Sequence, residues 1–130
     1  MLKIAICEDS EIFVEIIKKN IETILKVPYE LHPFLSGKEF MTSLPEMGCP
    51  YDIVFMDICM PEMNGLQMIA ALNSQFPDLE VSVLTGYRDF EYAKEAIRLG
   101  VTRFLLKPSN MDELEEAIEY MCANLNLAHF

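Results

Sequence analysis

The chain has 130 residues, enough for one compact domain, and is 52% hydrophobic, enough for a sizeable core. Its formal net charge of -11, from 10 Lys plus Arg against 21 Asp plus Glu, disfavours direct contact with nucleic acid, which rewards basic patches. No apolar run approaches the roughly 18 residues of a membrane span. The opening MLKIAICEDS runs from one lysine and a short apolar stretch into two acids, so it is no secretory signal, and a cytoplasmic protein is expected.

The cysteines stand at 7, 49, 59 and 122. No pair has CxxC spacing, and His32 and His129 complete no ligand cluster, so reduced thiols are expected rather than a zinc site.

Residues 2–7 (LKIAIC) form a short apolar run that stops at Glu8 and Asp9 and reads as a buried strand. Ser10 is placed to cap a helix in which Ile12, Phe13, Ile16, Ile17, Ile21, Ile24 and Leu25 recur at helical spacing, and Pro28 ends it. Residues 29–35 are a second strand. Ser36 and Gly37 make a turn into a short helix over 38–44, with Phe40 and Met41 inward. Pro45, Gly48 and Pro50 punctuate a loop.

Residues 52–56 read as a third apolar strand, and 61–65 as a loop. A helix over 66–76 carries Leu66, Ile69, Ala70 and Leu72 on its apolar side, and Pro77 stops it. A fourth strand covers 80–84. A fourth helix over 90–99 ends at Gly100, a natural C-terminal cap. A fifth strand covers 102–106, and Pro108 breaks the chain. Asn110 and Glu113 have capping-box spacing before a fifth helix over 111–125, whose Asp112, Glu113, Glu115, Glu116 and Glu119 form a solvated face. Five strands alternate with five helices. Apolar strands without alternation mark a parallel sheet covered on both faces, with right-handed crossovers.

In an open parallel sheet, ligands bind beyond the carboxyl ends of the strands. Glu8 and Asp9 follow the first strand, Asp57 the third, Thr85 and Gly86 the fourth, and Lys107 and Pro108 the fifth. Three neighbouring carboxylates repel one another, and a hard divalent cation such as Mg²⁺ relieves the repulsion. An aspartate can attack a phosphoryl group to give an acyl phosphate, and the non-bridging oxygens then need neutralising. Asp57, on a central strand, is the expected nucleophile. Lys107 and the Thr85 hydroxyl are the expected stabilising groups.

Two other chemistries fit less well. A flavin-nucleotide module needs a Ser-, Thr- and Gly-rich phosphate loop after the first strand, where Glu8 and Asp9 stand. An aspartate-nucleophile phosphatase with a DxD motif needs an acid two residues after Asp57, where Cys59 stands.

With these residues in view, the sequence closely resembles the receiver domains of two-component response regulators. The matching features are Glu8-Asp9, Asp57 in VFMDICMPEMNG, Thr85 in VLTGY, and Lys107-Pro108 in FLLKPS. The stretch TGYRDFEYAKEAIRLGVTRFLLKP is also similar to receivers of the YesN-like branch, which are joined to AraC-type helix-turn-helix output domains.

The resemblance implies an α/β fold: a doubly wound (βα)5 three-layer sandwich, flavodoxin-like, with a five-stranded parallel sheet of order 2-1-3-4-5. It implies a receiver over 1–124 and the start of a linker or C-terminal tail over 125–130, the chain being cut before an output domain. Asp57 would accept a phosphoryl group from a phosphohistidine on a sensor histidine kinase. Mg²⁺ would be held by Asp9, Asp57 and the backbone carbonyl of Cys59, with Glu8 acting mainly through water.

Thr85 and Phe104 would be the switch pair, Lys107 would read the phosphoryl oxygens, and the Lys107–Pro108 bond would be a cis peptide. Cys59 and Tyr87 would set the lifetime of the acyl phosphate. The domain would catalyse only its own phosphorylation and dephosphorylation. It would form a homodimer through the face of the fourth helix, fifth strand and fifth helix, with Arg88, Asp89, Lys94, Arg98, Arg103, Asp112 and Glu116 as candidate surface residues. It would touch neither membrane nor nucleic acid directly, and would reach DNA only through an output domain. A stand-alone receiver acting by protein contact, or a scaffold that is never phosphorylated, are the alternatives.

Overall fold

The computed structural model describes residues 1–44, 49–57, 65–85, 91, 94, 98, 103–106 and 111–125, without the side chains of 65, 66, 85, 103, 104, 106 and 111. Strands β1 (Leu2–Cys7), β2 (Tyr29–Phe34), β3 (Ile53–Asp57), β4 (Glu80–Thr85) and β5 (Arg103–Leu106) form one sheet in the order β2-β1-β3-β4-β5. Every pairing is parallel. Among the described residues, four helices have stated bounds, α1 (Glu11–Ile24), α2 (Gly37–Ser43), α3 (Gly65–Gln75) and α4 (Met111–Asn124), α4 being the fifth helix expected from the sequence. Of the helix expected over 90–99, Glu91, Lys94 and Arg98 are described and helical. The expected caps Gly100 and Asn110 lie outside the described residues.

The apolar strands are buried on both sides because successive side chains point to opposite faces. Ile4 and Ile6 of β1 with Ile53 and Phe55 of β3 join Phe13, Ile17 and Ile21 of α1 and Leu114, Ile118 and Met121 of α4. Ala5 and Cys7 with Val54 and Met56 join Phe40 of α2 and Met68 and Leu72 of α3. These are the two cores of a three-layer sandwich. Full burial of each large aliphatic side chain contributes about 1.5–3 kcal/mol. β2 lies at the edge and is mostly half-buried, which lets it carry Pro33, a residue with no N–H to donate.

Several boundaries differ from expectation by one residue. β3 runs Ile53–Asp57 rather than 52–56, and β4 reaches Thr85. Asp52 stands just before β3 and pins it. Its N–H donates to the Lys3 carbonyl at 2.8 Å, its Oδ2 accepts from the Lys3 N–H at 2.9 Å, and its carbonyl accepts from the Glu80 N–H at 3.2 Å. Ser36 is a cap rather than a turn: its Oγ accepts from the Glu39 N–H at 3.1 Å, and Glu39 Oε2 accepts from the Leu35 N–H at 3.3 Å.

Ser10 caps α1 as expected, but the buried face of that helix is rotated. Phe13, Val14, Ile17 and Ile21 are buried, whereas Ile12 is 77% and Ile16 39% exposed. Residues 12 and 16 lie about 100° around the helix from 13 and 17, so the same spacing places them on the flank. In α3, Met68 is buried and Ala70 exposed, contrary to expectation, and in α2 Met41 is half-buried. The acids of α4, Asp112, Glu113, Glu115, Glu116 and Glu119, are all exposed, as expected of a solvated face. No described helix is long and apolar enough to cross a membrane.

Candidate functional site: an acidic cluster at the carboxyl edge of the sheet

β1 and β3 pair with Cys7 opposite Met56, so Glu8 and Asp57, the next residues of each, emerge side by side. The Glu8 N–H extends the β1–β2 ladder by donating to the Phe34 carbonyl at 3.0 Å, which fixes where its side chain starts. Glu8 is fully buried, Asp57 is 3% exposed, and Asp9 is exposed. One carboxylate oxygen from each of the three lies within 4.8 Å of the others. Two unit negative charges at that spacing would repel by about 3–4 kcal/mol at an effective dielectric near 20. Two of these acids sit where water screens them little, and Asp57 ends an otherwise apolar strand in the middle of the sheet.

The loop after β1 holds the first acid. Glu8 Oε1 accepts from the Ser10 N–H at 3.2 Å, and Ser10 Oγ accepts from the Phe13 N–H at 3.3 Å at the start of α1. The N-terminal end of α1 adds a partial positive charge beside the acids. The Ser10–Glu8 contact was missed from sequence. Its available signal was a cap residue two positions after a strand-end acid.

The remaining expected residues are placed in part. Asp57 pairs in register with Leu84, and Thr85 with Leu106, so Thr85 ends the strand beside Asp57. Phe104 lies in β5 opposite Val83. The side chains of Thr85 and Phe104 are not described, and Cys59, Tyr87, Lys107 and Pro108 lie outside the described residues. Of the expected set, the structure therefore brings together Glu8, Asp9 and Asp57.

The donors are hard, anionic oxygens, the set that suits a small divalent cation such as Mg²⁺. The described thiols do not compete for it. Cys7, Cys49 and Cys122 are free, and burial pushes the thiol of each above its ordinary value, so they keep their protons near neutral pH. A cavity of about 570 Å³ lined by Met1, Leu2, Val27, Pro28, Asp52 and Leu125 opens at the opposite edge of the sheet, away from this chemistry.

The family model for the response regulator receiver domain matches residues 4–119. Among curated proteins, the chain is 32% identical over 120 residues to the transcriptional regulatory protein DegU of Brevibacillus brevis, covering 91% of the chain and 49% of that protein. It is 41% identical over 73 residues to the transcriptional regulatory protein YesN of Bacillus subtilis, covering 56% of the chain and 20% of that protein. The chain thus spans half or less of the length of these two relatives.

Among solved structures, the receiver domain of the response regulator AraT from Geobacillus stearothermophilus is 30% identical with a TM-score of 0.81, over 96% of this chain and 95% of that one. A response regulator receiver domain protein from Clostridium thermocellum is 25% identical with a TM-score of 0.84, over 97% and 98%. Matched along most of its length, and with its acids at the edge where the sequence placed them, the chain belongs to the response regulator receiver domains of two-component signalling.

Proposed function

We propose that this receiver accepts a phosphoryl group on Asp57 from a phosphohistidine of a sensor histidine kinase. The observation that carries the reading is the convergence of Glu8, Asp9 and Asp57 within 4.8 Å, with Asp57 nearly buried at the end of the central strand. A Asp57 carboxylate oxygen attacks phosphorus in line. The P–N bond to the imidazole breaks, its electron pair stays on the ring nitrogen, and an acyl phosphate forms on the aspartate.

Glu8, Asp9, Asp57 and the Cys59 carbonyl are the groups that would hold Mg²⁺, with Glu8 acting mainly through water. The ion supplies neutralisation of phosphoryl charge. Lys107 pairs with a further phosphoryl oxygen, and the Thr85 hydroxyl donates to another. Phe104 turns inward as Thr85 moves, a population shift between two states of the domain. Cys59 and Tyr87 set the lifetime of the acyl phosphate.

The output is dimerisation through the face of the helix expected over 90–99, β5 and α4, where Lys94, Arg98, Asp112 and Glu116 are exposed and offer both signs of charge. The names of the relatives, transcriptional regulatory proteins, support an output in transcription, exerted through a domain beyond the receiver of 1–124 and its tail of 125–130. The site of action is the cytoplasm.

Incubation with acetyl phosphate and Mg²⁺, read by intact mass, tests the reading. The parent chain gains one phosphoryl group and Asp57→Asn gains none. Loss of the adduct after the donor is removed is faster in Tyr87→Ala. A parent chain that stays unmodified would leave only the scaffold alternative.

A further inference from the structure

Ser10 does two jobs at once. Its N–H donates to Oε1 of the fully buried Glu8 at 3.2 Å. Its Oγ accepts from the Phe13 N–H at 3.3 Å, and its carbonyl accepts from the Val14 N–H at 3.0 Å. The residue is extended, with φ -89° and ψ 111°, the usual backbone of an N-cap. One residue therefore ties the carboxylate of the strand end to the first turn of α1. Glutamate has one more rotatable bond than aspartate, so its carboxylate needs a second point of attachment to hold one orientation. Partners that orient a metal ligand affect affinity without touching the metal.

We propose that Ser10 is a positioning residue of the cation site: by capping α1 it fixes its own N–H, and that N–H fixes the Glu8 carboxylate toward Asp9 and Asp57. The proposal rests on the reading that the three acids take Mg²⁺. It makes the coupling reciprocal, because an ion that holds Glu8 in place also holds the first turn of α1. Asp9 and Glu11 face the same end of the helix, and their charges act on it whatever residue stands at 10.

The test is calorimetric titration of the whole chain with Mg²⁺ alone, together with amide hydrogen exchange. Ser10→Ala keeps the backbone N–H but loses the cap, and should bind Mg²⁺ about tenfold more weakly. Ser10→Thr keeps an Oγ and should bind like the parent. In the parent, Mg²⁺ should slow exchange of the Phe13 amide, an arm that needs no variant to fold. Equal affinity in Ser10→Ala, loss of affinity in Ser10→Thr as well, or unchanged Phe13 exchange would each overturn the role of Ser10. Absence of Mg²⁺ binding by the parent would instead overturn the cation reading, and this proposal with it.

Discussion

The hydroxyl of Ser82 in β4 donates to the thioether sulfur of Met121 in α4 at 3.3 Å, with both residues fully buried. A polar atom in the interior of a parallel sheet needs a partner, and here the last helix supplies it. The contact ties α4 to the strand that ends in Thr85.

Leaving the buried hydroxyl without its acceptor should cost more than removing the hydroxyl itself. Ser82→Ala should lose about 0.5–1.5 kcal/mol. Met121→Leu keeps the volume but leaves the hydroxyl buried without its acceptor, and should lose about 1–3 kcal/mol. The double variant should be more stable than Met121→Leu alone. Urea unfolding of the four chains measures this, and a double variant at least as unstable as Met121→Leu would show that the hydroxyl is satisfied elsewhere.

The rotation of α1 is checked by two isoleucines on one helix. Ile17 is fully buried and Ile12 is 77% exposed. Ile17→Ala should destabilise by about 2–5 kcal/mol, and Ile12→Ala by less than about 0.5 kcal/mol. Similar losses in thermal or chemical unfolding would mean that the helix presents the face expected from its sequence pattern.

Those two residues also show where the sequence stopped being informative. Spacing alone gave a helix over 12–25, but 12, 13, 16 and 17 are all isoleucine or phenylalanine, and a stripe that wide does not say which side packs. The strands were legible because β1 and β3 are buried on both faces and need no choice of face. The acidic edge was legible because strand ends in a parallel sheet share one side. The Ser82–Met121 contact was not, since it joins residues 39 apart that meet only once the sheet and helix are stacked. The depth of Glu8 was also hidden. The sequence placed it among the acids of the strand ends but did not show its depth, and it is fully buried where the chain turns into Ser10 and α1.

Relieving the repulsion in the acidic cluster should stabilise the fold. In chelator, Asp57→Asn should raise stability by about 1–3 kcal/mol, a solvent-discounted share of the Coulomb repulsion. Millimolar Mg²⁺ should stabilise the parent and shift the variant little, so the gap narrows. Thermal melts with and without Mg²⁺ read both effects. A variant that melts below the parent in chelator would contradict the electrostatic account.

Alkaline pH should weaken the fold through Cys7. Burial raises its thiol well above the ordinary 9.0, so the native thiol keeps its proton where the unfolded one has lost it. The unfolded state then binds fewer protons, and stability falls as pH rises. The contribution is whole below about pH 9 and declines above it. Urea unfolding between pH 7 and 10.5 should show a steeper decline in the parent than in Cys7→Ala, and parallel curves would mean that Cys7 takes no part.

The central claim is that Asp57, and not its two acidic neighbours, carries the phosphoryl group. Borohydride reduces an acyl phosphate of aspartate to homoserine, which marks the residue permanently. After treatment with acetyl phosphate and Mg²⁺, reduction and peptide mass mapping should find homoserine at position 57 alone. Modification at Glu8 or Asp9, or at no carboxylate, would contradict the account.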